Sequence, residues 1–101
     1  MPSFTLTLHQ AYYRQGFFNV PRAFDRFVTQ EEMAITLALD GFKRIEAKVN
    51  RSANLNGTAR IMGGVPLRDW FQANFELRSA INVEIESPIE MRMGSGSQGG
   101  K

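Results

Sequence analysis

Residues 43–60, KRIEAKVNRSANLNGTAR, combine a strand-like half with a polar loop. In the first half Ile45, Ala47 and Val49 alternate with charged residues, which predicts a β-strand with one buried face. In the second half, residues 50–57 contain three Asn, one Arg and one Ser, whose side chains all form hydrogen bonds. Arg and Asn are the side chains that bind guanine and adenine edges through paired hydrogen bonds. The segment therefore predicts a rigid strand that presents a loop suited to contacting a duplex.

The charged residues are unevenly distributed. Residues 14–68 contain nine Lys and Arg against five Asp and Glu, whereas from residue 69 onward three bases face five acids. Since the net charge of the 101-residue chain is only +2, this distribution is more informative than the total. A basic surface beside a neutral or acidic one is typical of a polyanion-binding protein, although a mixed, solvated surface stays open. Arg26 and Arg68 adjoin Asp25 and Asp69, where we expect weak surface ion pairs.

Length and composition indicate one soluble domain. The chain is 43% hydrophobic and 22% charged, which is ordinary for a globular protein. It has no cysteine, so disulfides and thiolate metal sites are excluded, and no apolar run approaches the ~18 residues of a membrane span. Residues 1–8 lack the basic start of a secretory signal, so we expect a cytoplasmic protein. Residues 94–101, GSGSQGGK, predict a flexible linker or tail after a folded domain of residues 1–93.

Alternating patterns between turn signals predict a mainly β fold with a minor helical part. The expected strands are residues 4–8, 17–20, 33–39, 43–51, 57–62, 81–86 and 89–93, and the expected helices are residues 21–28 and 67–74. Asp40-Gly41 is a hairpin signal. Because most connections are too short for parallel crossovers, the strands should form a largely antiparallel barrel or strongly twisted sheet. The expected core includes Phe4, Leu6, Phe24, Phe27, Leu37, Trp70, Phe71 and Ile85.

The order of these elements, with three short motifs, resembles that of a B3-like DNA-recognition domain. The motifs are FNVPRAF at residues 18–24, VNR at residues 49–51 and WFQAN at residues 70–74. Such domains occur in plant transcription factors and as target-recognition or effector domains of bacterial type II restriction endonucleases. Residues 77–81, LRSAI, replace the glycine-aspartate turn of the plant pattern. The resemblance is therefore greater to the restriction-enzyme branch.

This resemblance implies a seven-stranded open β pseudobarrel with two short helices. Two arms, residues 9–19 and 50–58, would grip the major groove of double-stranded DNA. The isolated domain would need no metal or cofactor and would not be an enzyme. Catalysis would belong to a nuclease domain elsewhere in a parent restriction endonuclease.

The two arms and the adjoining strands contain the candidate DNA contacts. The candidates for base edges are Arg14, Gln15, Arg51, Asn54 and Asn56. The candidates for the sugar-phosphate backbone are Tyr13, Asn19, Arg22, Lys43, Lys48, Ser52, Thr58 and Arg60. Gly16 would let the first arm approach the duplex closely. For Asn56, which precedes Gly57, turn formation is an equally good explanation.

Two other functions stay open at this level. Asp40 followed by Glu46-Ala47-Lys48 matches the acidic-x-Lys pattern of metal-dependent nucleases, in which carboxylates hold magnesium. The same residues are equally explained as a turn and the outer face of an amphipathic strand. The main alternative is a small all-β module that binds a protein or a small ligand and does not bind DNA.

Overall fold

A computed structural model describes residues 2–41 and 43–95, which form one curled sheet with three short helices. The strands are β1 (Ser3–Thr7), β2 (Phe17–Asn19), β3 (Ala34–Leu39), β4 (Lys43–Asn50), β5 (Arg60–Met62), β6 (Ala80–Ser87) and β7 (Glu90–Ser95). The helices are α1 (Gln10–Gln15), a 3₁₀ helix (Arg22–Phe27) and α2 (Gly64–Asn74). Within the described ranges, no helix is long and apolar enough to cross a membrane.

The seven strands are hydrogen-bonded in the order β1-β6-β7-β3-β4-β5-β2. Every pairing is antiparallel except that between β3 and β7. The sheet curls into an open half-barrel whose two edge strands are β1 and β2. This confirms the predicted fold class, a mainly β open pseudobarrel with seven strands.

The core lies on the inner face of the curled sheet, where the alternating apolar residues meet. Val49 and Phe18 both pair with Ile61, and all three side chains are almost fully buried. The predicted core is confirmed for most of its members, since Phe4, Leu6, Leu37, Trp70, Phe71 and Ile85 are buried. Phe24 and Phe27 are half-buried and pack against the same cluster.

Helix α1 is the main departure from the predicted elements. Residues 10–15 were expected to be irregular, but they form a helix whose Tyr12 and Tyr13 pack against the core. A helix of six residues is too short to be stable alone, so this tertiary packing stabilises it. It ends at Gly16, with φ of 77°. The Gly16 carbonyl accepts hydrogen bonds from the backbone N–H groups of Gly63 and Gly64, both at 2.9 Å.

The role predicted for Gly16 is therefore wrong. This residue is buried against the start of α2, and a Cβ atom built on it would lie 2.1 Å from the Gly64 carbonyl oxygen. The close approach that requires glycine is to the protein's own second helix and not to a duplex.

Several element boundaries differ from the prediction. Strand β5 begins at Arg60, so the polar loop between β4 and β5 spans residues 51–59. We call this segment the 51–59 loop. Strand β7 extends to Ser95, so the first two residues of the predicted linker belong to the sheet, and residues 96–101 lie outside the described part. The hairpin signal is confirmed, because Asp40 and Gly41 turn between β3 and β4 with φ of 55° and 78°.

Candidate nucleic-acid interface

The two predicted arms meet at a cluster of polar side chains around Arg60. Asn19 at the end of β2 pairs with Arg60 at the start of β5. The side-chain oxygen of Asn19 accepts hydrogen bonds from Arg60 Nε at 3.1 Å and from Asn54 Nδ2 at 3.0 Å. Asn54 also donates to the Thr58 carbonyl at 3.1 Å. This cluster joins the first arm to the 51–59 loop.

The guanidinium of Arg60 is held by neutral groups. It lies over the ring of Phe17, 4.4 Å from the centroid, and Tyr12 packs edge-on against the same ring at 5.2 Å. Arg60 Nη2 also donates to Asn54 Oδ1 at 3.4 Å. In the described ranges no carboxylate lies within the 4.0 Å of an ion pair, so its positive charge is uncompensated.

Strand pairing places a second cation on the same face. Asn50 pairs with Arg60 and Lys48 pairs with Met62, on the side of the sheet opposite to the core. Lys48 and Arg60 are thus diagonal neighbours, separated by about 7–8 Å. We call this surface the arm face; its residues are Asn19, Lys48, Asn50, Arg60 and Met62.

The base contact predicted for Arg51 conflicts with the geometry of its guanidinium. Its guanidinium forms an ion pair with Asp25 at 2.8 Å, and the two side chains are only 13% and 20% exposed. It also donates to three backbone carbonyls, those of Val28, Thr29 and Gly57. Every N–H direction of the guanidinium has a partner, so none is left for a base. Arg51 anchors the 51–59 loop to the segment after the 3₁₀ helix.

Glu32 provides a second anchor for the same loop. One of its carboxylate oxygens accepts from the backbone N–H of Arg51 at 2.7 Å, and from the backbone N–H and hydroxyl of Ser52 at 3.2 and 3.1 Å. The Arg51 N–H is the largest influence that holds the pKa of Glu32 below its ordinary value, followed by the Ser52 hydroxyl. These bonds favour the ionised carboxylate.

Acid should therefore weaken the anchoring by Glu32. Because its folded pKa is lowered, its stabilising contribution is complete above its ordinary pKa of 4.5 and is lost as the pH falls through the folded value. We expect Glu32→Gln to flatten the decline in the free energy of unfolding between about pH 6 and about pH 3, measured by urea denaturation. Glu31→Gln is the control, since its carboxylate makes none of these bonds. Equal slopes for Glu32→Gln and the unmodified protein would contradict the anchoring.

Three other predicted contacts in the 51–59 loop are satisfied inside the protein. Both N–H groups of the Asn54 side chain are donated internally, so the predicted paired hydrogen bonds to adenine conflict with this geometry. The hydroxyl of Ser52 donates to Glu32, and that of the buried Thr58 donates to Asn56 Oδ1 at 2.8 Å. The phosphate contacts predicted for Ser52 and Thr58 conflict with these bonds, because both hydroxyl protons are already donated within the protein. These residues shape the loop.

Asn56 forms the turn that the sequence predicted, and its predicted base contact stays a prediction. Its side-chain oxygen accepts from the backbone N–H of Thr58 at 3.1 Å, which is turn chemistry. Its amino group has no hydrogen-bond partner among the described residues, and the residue is exposed. That amino group is available to a ligand.

The remaining candidates are more widely spread. Arg14 and Gln15 are exposed at the end of α1. Gly16, the residue after them, is three residues before Asn19 of the arm face, a distance of about 10 Å along the chain. Arg22 is exposed at the start of the 3₁₀ helix. The ring of Tyr13 is half-buried against the core, so only its exposed part could contact DNA. Lys43 is at the far end of β4, about 23 Å along the strand from Asn50, so it is not part of the arm face.

The acidic residues of the nuclease pattern do not converge. The Asp40 carboxylate accepts a hydrogen bond from the Trp70 indole N–H at 2.9 Å. Glu46 is three residues beyond Lys43 on the returning strand, about 10 Å from that turn. Across residues 2–41 and 43–95, no group of three His, Cys, Asp or Glu side chains is arranged to hold a metal ion.

Sequence reasoning missed the acidic anchors. Asp25 was paired with its neighbour Arg26, but it binds Arg51 and accepts the Ala59 N–H at 2.8 Å, while Arg26 lies 4.9 Å from the Phe27 centroid. No local pattern identifies a partner 26 residues away. The expected surface pair of Arg68 with Asp69 is present at 3.1 Å.

Comparison with known proteins supports the fold. No protein-family model and no curated protein matches the chain. A solved structure of a hypothetical protein from Arabidopsis thaliana matches 91% of this chain and 86% of its own, with a TM-score of 0.64 and 7% sequence identity. At that identity the similarity establishes the curled-sheet architecture alone.

Proposed function

We propose that this domain binds double-stranded DNA in a sequence-dependent manner, with the arm face and the 51–59 loop against the major groove. The observation that carries DNA binding is the guanidinium of Arg60, which is held at the junction of the two arms by neutral groups only among the residues that the structure describes. A fixed, uncompensated cation surrounded by amide side chains is suited to a phosphate oxygen. Arg51 makes no such contribution, because Asp25 neutralises it.

The surrounding charges support the same proposal. Arg14, Arg22 and Lys48 have no carboxylate within ion-pair distance among the residues that the structure describes. Lys48 and Arg60 are the proposed backbone contacts that share the arm face. Arg22 follows Asn19, a residue of that face, by three positions in the sequence. The exposed donors available for base edges are Arg14, Gln15 and the amino group of Asn56. This set is smaller than the one predicted from the sequence, because the anchors of the loop are excluded.

The choice of DNA over another polyanion also depends on the resemblance to B3-like domains. On that basis the domain would be the recognition part of a bacterial restriction endonuclease, with a nuclease domain elsewhere in the parent chain. Selection of bound duplexes from a random-sequence pool at ~150 mM salt tests the proposal, because non-specific phosphate binding is weak there. Enrichment of one short motif supports it. Retention without enrichment limits the domain to electrostatic binding, and no retention favours a protein- or ligand-binding module.

Arg60→Gln tests the residue at the centre of the proposal. We expect affinity for the selected duplex to fall about tenfold, with the salt dependence reduced by about one released counterion. Fluorescence anisotropy at several salt concentrations measures both. Lys43→Gln removes the same charge about 23 Å from Asn50, well beyond the ~8 Å screening length, and should change affinity little. Equal losses for the two variants would indicate a general charge effect and contradict a specific role for Arg60.

A further inference from the structure

Leu55 is the most exposed large apolar side chain of the described residues, with a relative exposure of 110%. Its two neighbours are both hydrogen-bonded into the protein, Asn54 to Asn19 and Thr58, and Asn56 to Thr58. The Gly57 N–H donates to the Asn54 carbonyl at 3.0 Å and closes a turn around Leu55. The turn therefore exposes one apolar side chain to solvent from a backbone that hydrogen bonds hold in place.

The loop that carries this turn is held at its base. Arg51 binds Asp25 and three carbonyls, and Glu32 accepts three hydrogen bonds from the following backbone and Ser52. A binding loop that is already ordered loses little conformational entropy when a partner covers it. A single exposed Leu is common on protein surfaces. What distinguishes Leu55 is its place at the tip of an anchored polar loop, next to Asn54, whose side chain accepts a hydrogen bond from Arg60 at 3.4 Å.

The chemistry of the major groove limits what Leu55 can meet there. Base edges in that groove present donors and acceptors, and the apolar group is the methyl on C5 of thymine. A 5-methylcytosine presents the same methyl. Leu55 itself lines an open cleft of about 520 Å³, together with Asn19, Ala53, Asn54, Asn56 and Thr58. Of the polar side chains around this cleft, Asn56 retains an amino group available to a base edge beside such a methyl group.

We infer that Leu55 reads the C5-methyl group of one pyrimidine in the bound duplex, either thymine or 5-methylcytosine. This inference rests on the proposed function, since it needs the 51–59 loop in the major groove. It adds a specificity-determining contact that does not depend on hydrogen bonding. Burial of one methyl group against Leu55 corresponds to about a fourfold gain in affinity.

The test uses the duplex obtained from the random pool. Each thymine is replaced singly by deoxyuridine, and in a second series each cytosine is replaced by 5-methylcytosine. We expect the unmodified protein to lose about fourfold at one thymine or to gain about fourfold at one cytosine. In Leu55→Ala that single difference in affinity should disappear. The series in which the unmodified protein shows the difference tells whether the methyl group belongs to thymine or to 5-methylcytosine. Leu77→Ala, an exposed leucine in the turn before β6, should retain it.

Two results would overturn the inference while leaving DNA binding intact. One is a protein that binds the selected duplex but responds to no methyl group. The other is a Leu55→Ala variant that keeps the methyl discrimination. If no duplex is retained from the pool, the proposed function fails and the inference fails with it. Leu55 makes no buried contact, so its substitution tests binding without disturbing the fold.

Discussion

Arg51→Ala is expected to lower the free energy of unfolding by about 3 kcal/mol, because it leaves Asp25 with an unpaired and largely buried charge. The substitution also removes donors from the carbonyls of Val28, Thr29 and Gly57. Asp25 would retain the Ala59 N–H as a partner at 2.8 Å. Urea denaturation with two spectroscopic probes measures the loss.

The control for this prediction is Arg44→Ala. Arg44 pairs with Glu90 at 3.1 Å, but its side chain is 63% exposed, and such surface pairs contribute about 0–1 kcal/mol. A double-mutant cycle of Arg51→Met with Asp25→Asn should give a coupling energy of about 1–3 kcal/mol. If Arg51→Ala instead kept full stability and lost preference at one base pair, Arg51 would be a base reader after all. The anchoring described here would then be wrong.

Gly16→Ala is expected to be similarly destabilising, by about 3 kcal/mol, from backbone strain and steric overlap together. The φ of 77° disfavours any L side chain, and a Cβ would lie 2.1 Å from the Gly64 carbonyl oxygen and 2.8 Å from the Arg68 backbone nitrogen. Both atoms are backbone, so relief requires α1 and α2 to separate. Thermal and urea unfolding measure the effect.

Gly57→Ala separates the two contributions. Gly57 has nearly the same φ, 78°, but no atom of the described residues lies within 4 Å of the Cβ position. Gly57→Ala should therefore lower the free energy of unfolding through backbone strain alone, by about 1–2 kcal/mol. Equal losses at the two glycines would mean that the close contact between α1 and α2 is absent.

The polar loop shows how one stretch of sequence holds two kinds of information. Its composition indicated DNA contacts, and the structure divides the same residues into anchors and available donors. The side chains of Arg51, Asn54, Ser52 and Thr58 donate their hydrogen bonds within the protein. Arg60 also donates to Asn19 and Asn54, but its charge meets no carboxylate among the described residues, and the Asn56 amino group has no partner there. An Arg that forms a buried ion pair and one that binds phosphate have the same local pattern. Only their spatial neighbours differ.

The sequence by itself determined the strands, the Asp40-Gly41 hairpin and most of the core. Alternation of apolar residues and turn chemistry are local properties, so residues such as Val49 and Leu37 could be assigned from their neighbours in the chain. The tertiary structure alone decided that residues 10–15 form a helix, that Gly16 meets α2, and that Asp25 and Arg51 pair. Each of these depends on contacts between residues distant in sequence. Curling of the sheet creates those contacts, and no local pattern encodes which donor will meet which acceptor.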